Sequence, residues 1–341
     1  MKRHAFLLLF SLAISLSGLA QKETITPMFQ AQEPMAIRLN FSIKEIKKIK
    51  SDTVYTTSYM QYKADNGSWD SVKIGLRTRG NFRRANCTFP PLRVKMKKGD
   101  SEKTPFAGNK SLKLVVPCQS PKLYNDLITK EFICYKLYEV ISPYHFNTRL
   151  VDLTLVDGKG KQAKTYNLTA FFIEDDDLVA RRHKAKVMDE LKIHPLQMAD
   201  TASIKQDFFQ YMISNSDWSS VQQHNVKVLQ LKSGGYIPLP YDFDMSGVVN
   251  APYGQVSELV GTSTVRERVY RGFCRSPELF EYVRKEYLQL EPSVKSAVNG
   301  FEGQLNTKEI TGLNKYLDEF FAILKSDKSF KENIVQKCRT K

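Results

Sequence analysis

Hydrophobic and polar positions alternate with a period of two through much of the first third of the chain. Residues 54–62, 71–79, 92–97 and 111–116 have this alternating or β-branched character, and Asp65-Asn66-Gly67-Ser68 and Lys98-Gly99-Asp100 mark turns between them. The period then changes. Leu123, Leu127, Ile128, Phe132, Tyr135, Leu137 and Tyr138 approximate three- and four-residue spacing, which predicts a helix over 122–141 that ends before Pro143. Segments 150–156 and 165–173 flank Asp157-Gly158-Lys159-Gly160, a hairpin signature.

Beyond residue 173 the pattern is mainly helical. A charged helix is expected over 175–188, and 201–214 places Ile204, Phe208, Phe209, Met212 and Ile213 on one face. Two short strands, 226–231 and 236–239, surround a Gly234-Gly235 turn. Ser276-Pro277-Glu278 is a helix start with Ser at the N-cap, leading into 279–290, and 313–324 is a further amphipathic helix. The order predicts an α+β chain with a β-rich N-lobe (21–174) and a mainly helical C-lobe (175–341). No repeat or long Pro/Gly/Ser linker separates the two.

Composition narrows the class. At 42% hydrophobic and 11% aromatic, the 341 residues can bury a core, which excludes a largely disordered polymer. A mean hydropathy of −0.38 excludes a multi-pass membrane protein. Lys2 and Arg3 precede an apolar run over 5–16 and the small residues Gly18 and Ala20, the build of a signal peptide over 1–20. The run is shorter than a spanning helix requires, no later segment reaches that length, and no Cys sits at the cut to carry a lipid. The expectation is an exported protein, periplasmic, cell-surface or secreted, that does not span the membrane. Among five cysteines no C-x-x-C pair occurs, so neither a zinc site nor a cysteine enzyme is indicated. At most two disulfides can form within the chain, and Cys134 reads as a small buried hydrophobe.

The formal charge is +15, from 51 Lys plus Arg against 36 Asp plus Glu, and +13 without Lys2 and Arg3. Nucleic acid is not the expected partner, because the chain is read as exported, its basic residues are dispersed, and it shows no nucleic-acid module. The excess instead has a local counterpart between residues 215 and 247. Asp217 would sit on a loop after the 201–214 helix, Asn225 would open the first strand of the small hairpin, and Asp242 would end the second. An Asp/Asn/Asp set of oxygen ligands, with Asp244 two residues on, suits Mg²⁺ or Mn²⁺ rather than zinc. Each residue alone would suit a cap or turn. Together, on a strand end stiffened by Pro238 and Pro240, they form the layout that phosphoryl transfer uses.

Asn215-Ser216-Asp217-Trp218, Asn225, and Pro240-Tyr241-Asp242-Phe243-Asp244 with Gly247 resemble the catalytic core of the CotH-type spore-coat kinases, an atypical secreted family, and more loosely HipA-type kinases. Upstream, Arg77-Thr78-Arg79-Gly80-Asn81 and Pro90-Pro91-Leu92-Arg93-Val94-Lys95 resemble that family's Arg-Gly stretch and Lys-bearing strand. The likeness runs in order through about residues 70–250. It implies a bilobal protein-kinase-like fold and the use of ATP or another nucleotide with Mg²⁺ or Mn²⁺. Asp217 would be the catalytic base, Asn225 and Asp242 the metal ligands, Lys95 the phosphate lysine, and Glu174 the border of the adenine.

Two departures shape the expectation. Asn225 follows Asp217 at a longer interval than in the protein-kinase catalytic loop, and no Gly-rich phosphate loop is present. Side chains would then hold the phosphates, and Arg77 with Arg79, and Arg93 with Lys95, sit two apart on one strand face each. Lys113 rivals Lys95 for the phosphate, and Glu131 is its candidate helix partner, although helix glutamates are usually exposed. The expected function is metal- and nucleotide-dependent phosphoryl transfer to an unknown protein or cell-surface acceptor. The alternative is a catalytically inactive kinase-like protein that binds an acidic surface polymer.

Overall fold

The computed structural model describes residues 25–119, 121–158, 162–189, 193–256 and 260–340, and the expected signal peptide lies outside them. Seven strands share one sheet: β1 (Met35–Phe41), β2 (Thr56–Lys63), β3 (Trp69–Thr78), β4 (Leu92–Lys95), β5 (Ser111–Val115), β6 (Thr148–Asp157) and β7 (Lys164–Ile173). They close into a barrel in the order β1-β2-β3-β4-β5-β7-β6. Every pairing is antiparallel except the parallel β1–β6 seam.

This closed mixed barrel corrects the bilobal protein-kinase-like fold expected above, whose β-rich lobe would be an open sheet. The difference comes from two places. Met35, Ile37 and Leu39 alternate with half-exposed or exposed neighbours, so β1 is a strand that the sequence reading passed over. It pairs with both β2 and β6. The expected hairpin of 150–156 and 165–173 forms as β6 and β7, and β7 also pairs with β5, which draws the hairpin into the same sheet. Local periodicity identifies a strand but does not say which edges will meet.

Short helices α1 (Pro27–Gln30), α2 (Ile43–Lys48), α3 (Asn81–Asn86) and α4 (Lys98–Ser101) decorate the barrel, and the long α5 (Pro121–Ile141) follows β5. The remaining strands and α-helices among the described residues are α6 (Asp176–Arg182), β8 (Ala185–Val187), α7 (Asp200–Met212), β9 (Val226–Leu231), β10 (Tyr236–Pro240), α8 (Pro277–Asn299), α9 (Thr307–Lys325) and α10 (Asp327–Asn333). The three late strands form a small sheet in the order β10-β9-β8. The charged helix expected over 175–188 stops at Arg182. Lys184 then takes a left-handed φ of 51° and turns the chain into β8.

Two cores result. Ile37, Met60, Val72, Leu76, Val94, Leu114 and Phe172 fill the barrel. Phe171, one residue away and pointing outward, meets Phe132 and Tyr135 of α5 at centroid distances of 5.5 Å. That second core continues through α7, α8 and α9. The strand end Ala170-Phe171-Phe172-Ile173 is therefore apolar without alternation, because both of its faces are covered. Cys87 pairs with Cys118 and Cys274 with Cys338, while Cys134 is free and buried. No described helix is long and apolar enough to cross a membrane. The two disulfides are compatible with an oxidising compartment.

Candidate functional site

The loop after α7 is framed by its own polar side chains. Ser214 reverses the chain at φ 51°, and its hydroxyl lies 2.9 Å from Val265 O and 2.6 Å from Glu267 O. Asn215 donates to Gln210 Oε1 at 2.9 Å and accepts the Asp217 N–H at 3.0 Å. Ser219 and His224 then exchange two backbone hydrogen bonds of 2.9 Å. This small closure absorbs the extra residues and returns Asn225 to Asp217. Asn225 Nδ2 donates to the Asp217 carbonyl at 2.7 Å and to Oδ2 at 3.0 Å, while His224 Nε2 lies 2.9 Å from Oδ1.

The β9–β10 hairpin carries the other half. Val226 pairs with Pro240, and the Tyr241 N–H donates to Asn225 O at 3.0 Å, so Asn225 and Asp242 flank one end of the ladder. Both have positive φ, 52° and 64°, a conformation that Asn and Asp tolerate better than most side chains. The Asp242 N–H donates to the Tyr135 hydroxyl at 2.9 Å. Phe243 is buried against Tyr135 and Phe209, which fixes Asp244 beneath it at 4% exposure. Gly247 closes the loop where no side chain fits: a Cβ there would lie 2.6 Å from Tyr316 Oη and 2.7 Å from Val265 O. The structure thus brings Asp217, Asn225, Asp242 and Asp244 together.

Facing them are groups from α5, α3 and the outer barrel wall. Glu131 is 1% exposed, and burial together with Asp244 and Asp242 holds its carboxyl well above the usual range. Arg83 reaches to 3.8 Å from Asp244 Oδ2 and also donates to Val116 O. Burial, then Asp242, push Asp244 up to about 7, against the opposing pull of Arg83 and the Tyr253 hydroxyl. Lys113 is 6% exposed, and its Nζ has no hydrogen-bond partner. It sits 4.9 and 4.7 Å from the ring centroids of Phe146 and Tyr241. Burial brings it down to about 8, with Arg79 and Arg93 acting in the same direction and Asp176 and Asp175 against it. Register places Arg77, Arg93 and Lys113 side by side across β3, β4 and β5.

Not every expected residue joins this cluster. Lys95 is exposed and lies 5.4 Å from the Tyr55 ring, with no hydrogen bond or ion pair to the acidic loops. Glu174 is buried in a pair with Arg182 at 2.8 Å and accepts the Asn147 N–H at 2.6 Å. Arg79 lies within electrostatic range of Lys113, Glu131 and Tyr241, and its Nε is buried without a partner. The sequence reading missed Tyr135, Tyr253 and Asp176. It also placed Glu131 at the surface, although that residue stands on a helix with apolar residues on nearly every face, which marks burial.

Among the described residues no group of three or more His, Cys, Asp or Glu is arranged to hold a metal ion. The donor set of Asn225, Asp242 and Asp244 is two carboxylates and an amide. Its chemistry still fits a hard divalent cation: Asp244 Oδ2 is buried without a hydrogen bond, and it is the amide nitrogen of Asn225, not its oxygen, that is given to Asp217.

Beneath the loop, α7 buries Asp207, pushed up to about 7 by burial against the pull of Arg275 and Arg339. Between pH 4 and 7 the folded chain keeps a proton there that the unfolded chain releases, so stability falls as pH rises across that window. Asp207→Asn is expected to flatten this slope and to exceed the parent by about 3 kcal/mol above pH 7. Urea unfolding of both chains at pH 5 and 8 measures the difference, and equal slopes would refute it.

No protein-family model matches the chain, and no curated protein matches it in sequence.

Proposed function

We propose that this is an exported protein that transfers a phosphoryl group from ATP or another nucleotide to a hydroxyl on a protein or cell-surface acceptor. The observation that carries the proposal is the convergence of Asp217, Asn225, Asp242 and Asp244, with the buried Lys113 ammonium against the ring of Tyr241, the residue before Asp242. Such a site suits a reaction whose catalysis is positioning and charge neutralisation. The likeness of the 215–247 segment to CotH-type kinases supports the same chemistry, on a different fold from the one it implied.

Asp217 is the proton acceptor. Its side chain is 40% exposed, and Asn225 and His224 fix its orientation. The acceptor hydroxyl gives its proton to this carboxylate as its oxygen bonds to the terminal phosphorus. The bond from phosphorus to the bridging oxygen breaks, and the nucleoside diphosphate leaves with those electrons. Lys113 and Arg79 supply positive charge to the phosphate oxygens. Asn225, Asp242 and Asp244 would hold Mg²⁺ or Mn²⁺, which when bound offsets phosphate charge.

Transfer of label from terminally labelled ATP onto protein, with Mn²⁺ or Mg²⁺ present, tests the proposal. Asp217→Asn and Asp242→Asn are each expected to lower the rate by about 10³ or more. Only Asp242→Asn should also weaken metal binding. A parent chain that binds neither nucleotide nor Mn²⁺ would sink the proposal. Transfer-free binding of acidic polymer, indifferent to both substitutions, would favour the inactive binder instead.

A further inference from the structure

The outer face of the barrel carries a second concave site, away from the acidic loops. Thr53, Tyr55, Thr57, Lys73, Lys95 and Lys97 border a cavity of about 320 Å³, a volume within the range of small-ligand sites. Its floor is built. Register sets Thr57, Gly75 and Lys95 in one row across β2, β3 and β4. Tyr55 lies on Gly75 so closely that a Cβ there would stand 3.1 Å from it. Arg77 locks the ring from the far side, donating to its hydroxyl at 3.1 Å while pairing with Asp52 at 2.7 Å.

The charge around this cavity is unbalanced. Among the described residues no ion pair engages Lys73, Lys95 or Lys97, whereas nearby Lys98 pairs with Glu102 and Arg93 with Asp175. Asp100 is the one acid on the rim and pairs with none of them. Three ammonium groups and two threonine hydroxyls offer point charges and rotatable donors. The guanidinium that could grip a planar carboxylate in bidentate fashion is already committed to Asp52. That donor set suits a tetrahedral, multiply charged oxyanion better than a carboxylate.

We propose that this cavity binds phosphate-bearing anions, pyrophosphate or a phosphate monoester, at a site separate from the one around Lys113. The proposal does not depend on phosphoryl transfer, and its test needs neither a divalent cation nor turnover.

Calorimetric titration of the full chain with pyrophosphate, without metal, is the test. Binding with a Kd of about 10⁻⁴ M is expected, weakening severalfold as NaCl rises from about 50 to 300 mM. Lys73→Met/Lys95→Met/Lys97→Met should weaken it by about 30-fold or more, and the single Lys95→Glu by about tenfold, with unchanged thermal unfolding. Lys113→Met should retain it. Phosphoserine peptide binding more tightly than pyrophosphate would identify the ligand as protein-borne, and the reverse as free in solution. Absence of binding, loss in Lys113→Met with retention in the triple variant, or citrate binding as tightly as pyrophosphate would each overturn the proposal.

Discussion

Lys113→Met is expected to be more stable than the parent chain by about 1–2 kcal/mol at pH 7 and to lower the proposed phosphoryl transfer by about 10² or more. The buried ammonium makes no hydrogen bond, and its fall from the ordinary 10.5 to about 8 measures how unfavourable the charge is there. A gap of that size corresponds to about 3 kcal/mol, of which two aromatic faces return about 1–2. Methionine fills a similar length without the charge. The pH dependence has a definite sign. Below pH 8 both folded and unfolded chains carry the proton and the parent is at its weakest. Between 8 and 10.5 the folded chain releases the proton first, so the parent gains and the advantage of methionine shrinks. Urea unfolding at pH 7 and 10 measures this. A less stable variant would show that the ammonium is structurally needed, and one with full activity would remove Lys113 from the phosphate site.

Arg182→Met is expected to have the opposite sign, losing about 3–5 kcal/mol. Both oxygens of Glu174 accept from Arg182, at 2.8 and 3.0 Å, and Arg182 also donates to His145 O at 2.7 Å. With the side chains at 4% and 2% exposure, removing the arginine strands a carboxylate away from water. The pair ties the end of β7 to the start of β6, since Glu174 also holds the Asn147 N–H. Adding Glu174→Gln to Arg182→Met should recover part of the loss, because the neutral amide need not stay charged. Thermal unfolding of the single and double variants decides this. A neutral single variant would mean that the pair contributes little.

The parts of the molecule legible from sequence are those set by local period and short spacing. Asp200–Met212 and Val226–Leu231 lie within a residue or two of their expected bounds, because amphipathic period and turn glycines act over a few residues. The approach of Asn225 to Asp242 was legible for the same reason, being a property of one hairpin. The barrel was not legible, since its closure joins strands more than a hundred residues apart. Lys113 and Lys95 could not be ranked either. Both lie on basic strands, and only the third dimension separates a lysine under Phe146 and Tyr241 from one in solvent beside Tyr55. Glu131 is a different case, since the apolar residues on nearly every face of α5 already marked it as buried.

The parallel seam between β1 and β6 sets an order of assembly. Ile37 lies opposite Leu153, so a chain emerging from its N-terminus must hold β1 with one free edge until β6 has been delivered. Pairing across so long a stretch is slow, because closing the loop precedes any contact that rewards it. Through that interval β1 and β5 remain open edges, each able to recruit a strand from another chain. A fragment that stops before residue 148 would keep both edges permanently and should associate with itself. A barrel so connected is expected to be completed late, and a longer-lived half-built form to aggregate more, which refolding yield as a function of chain concentration measures.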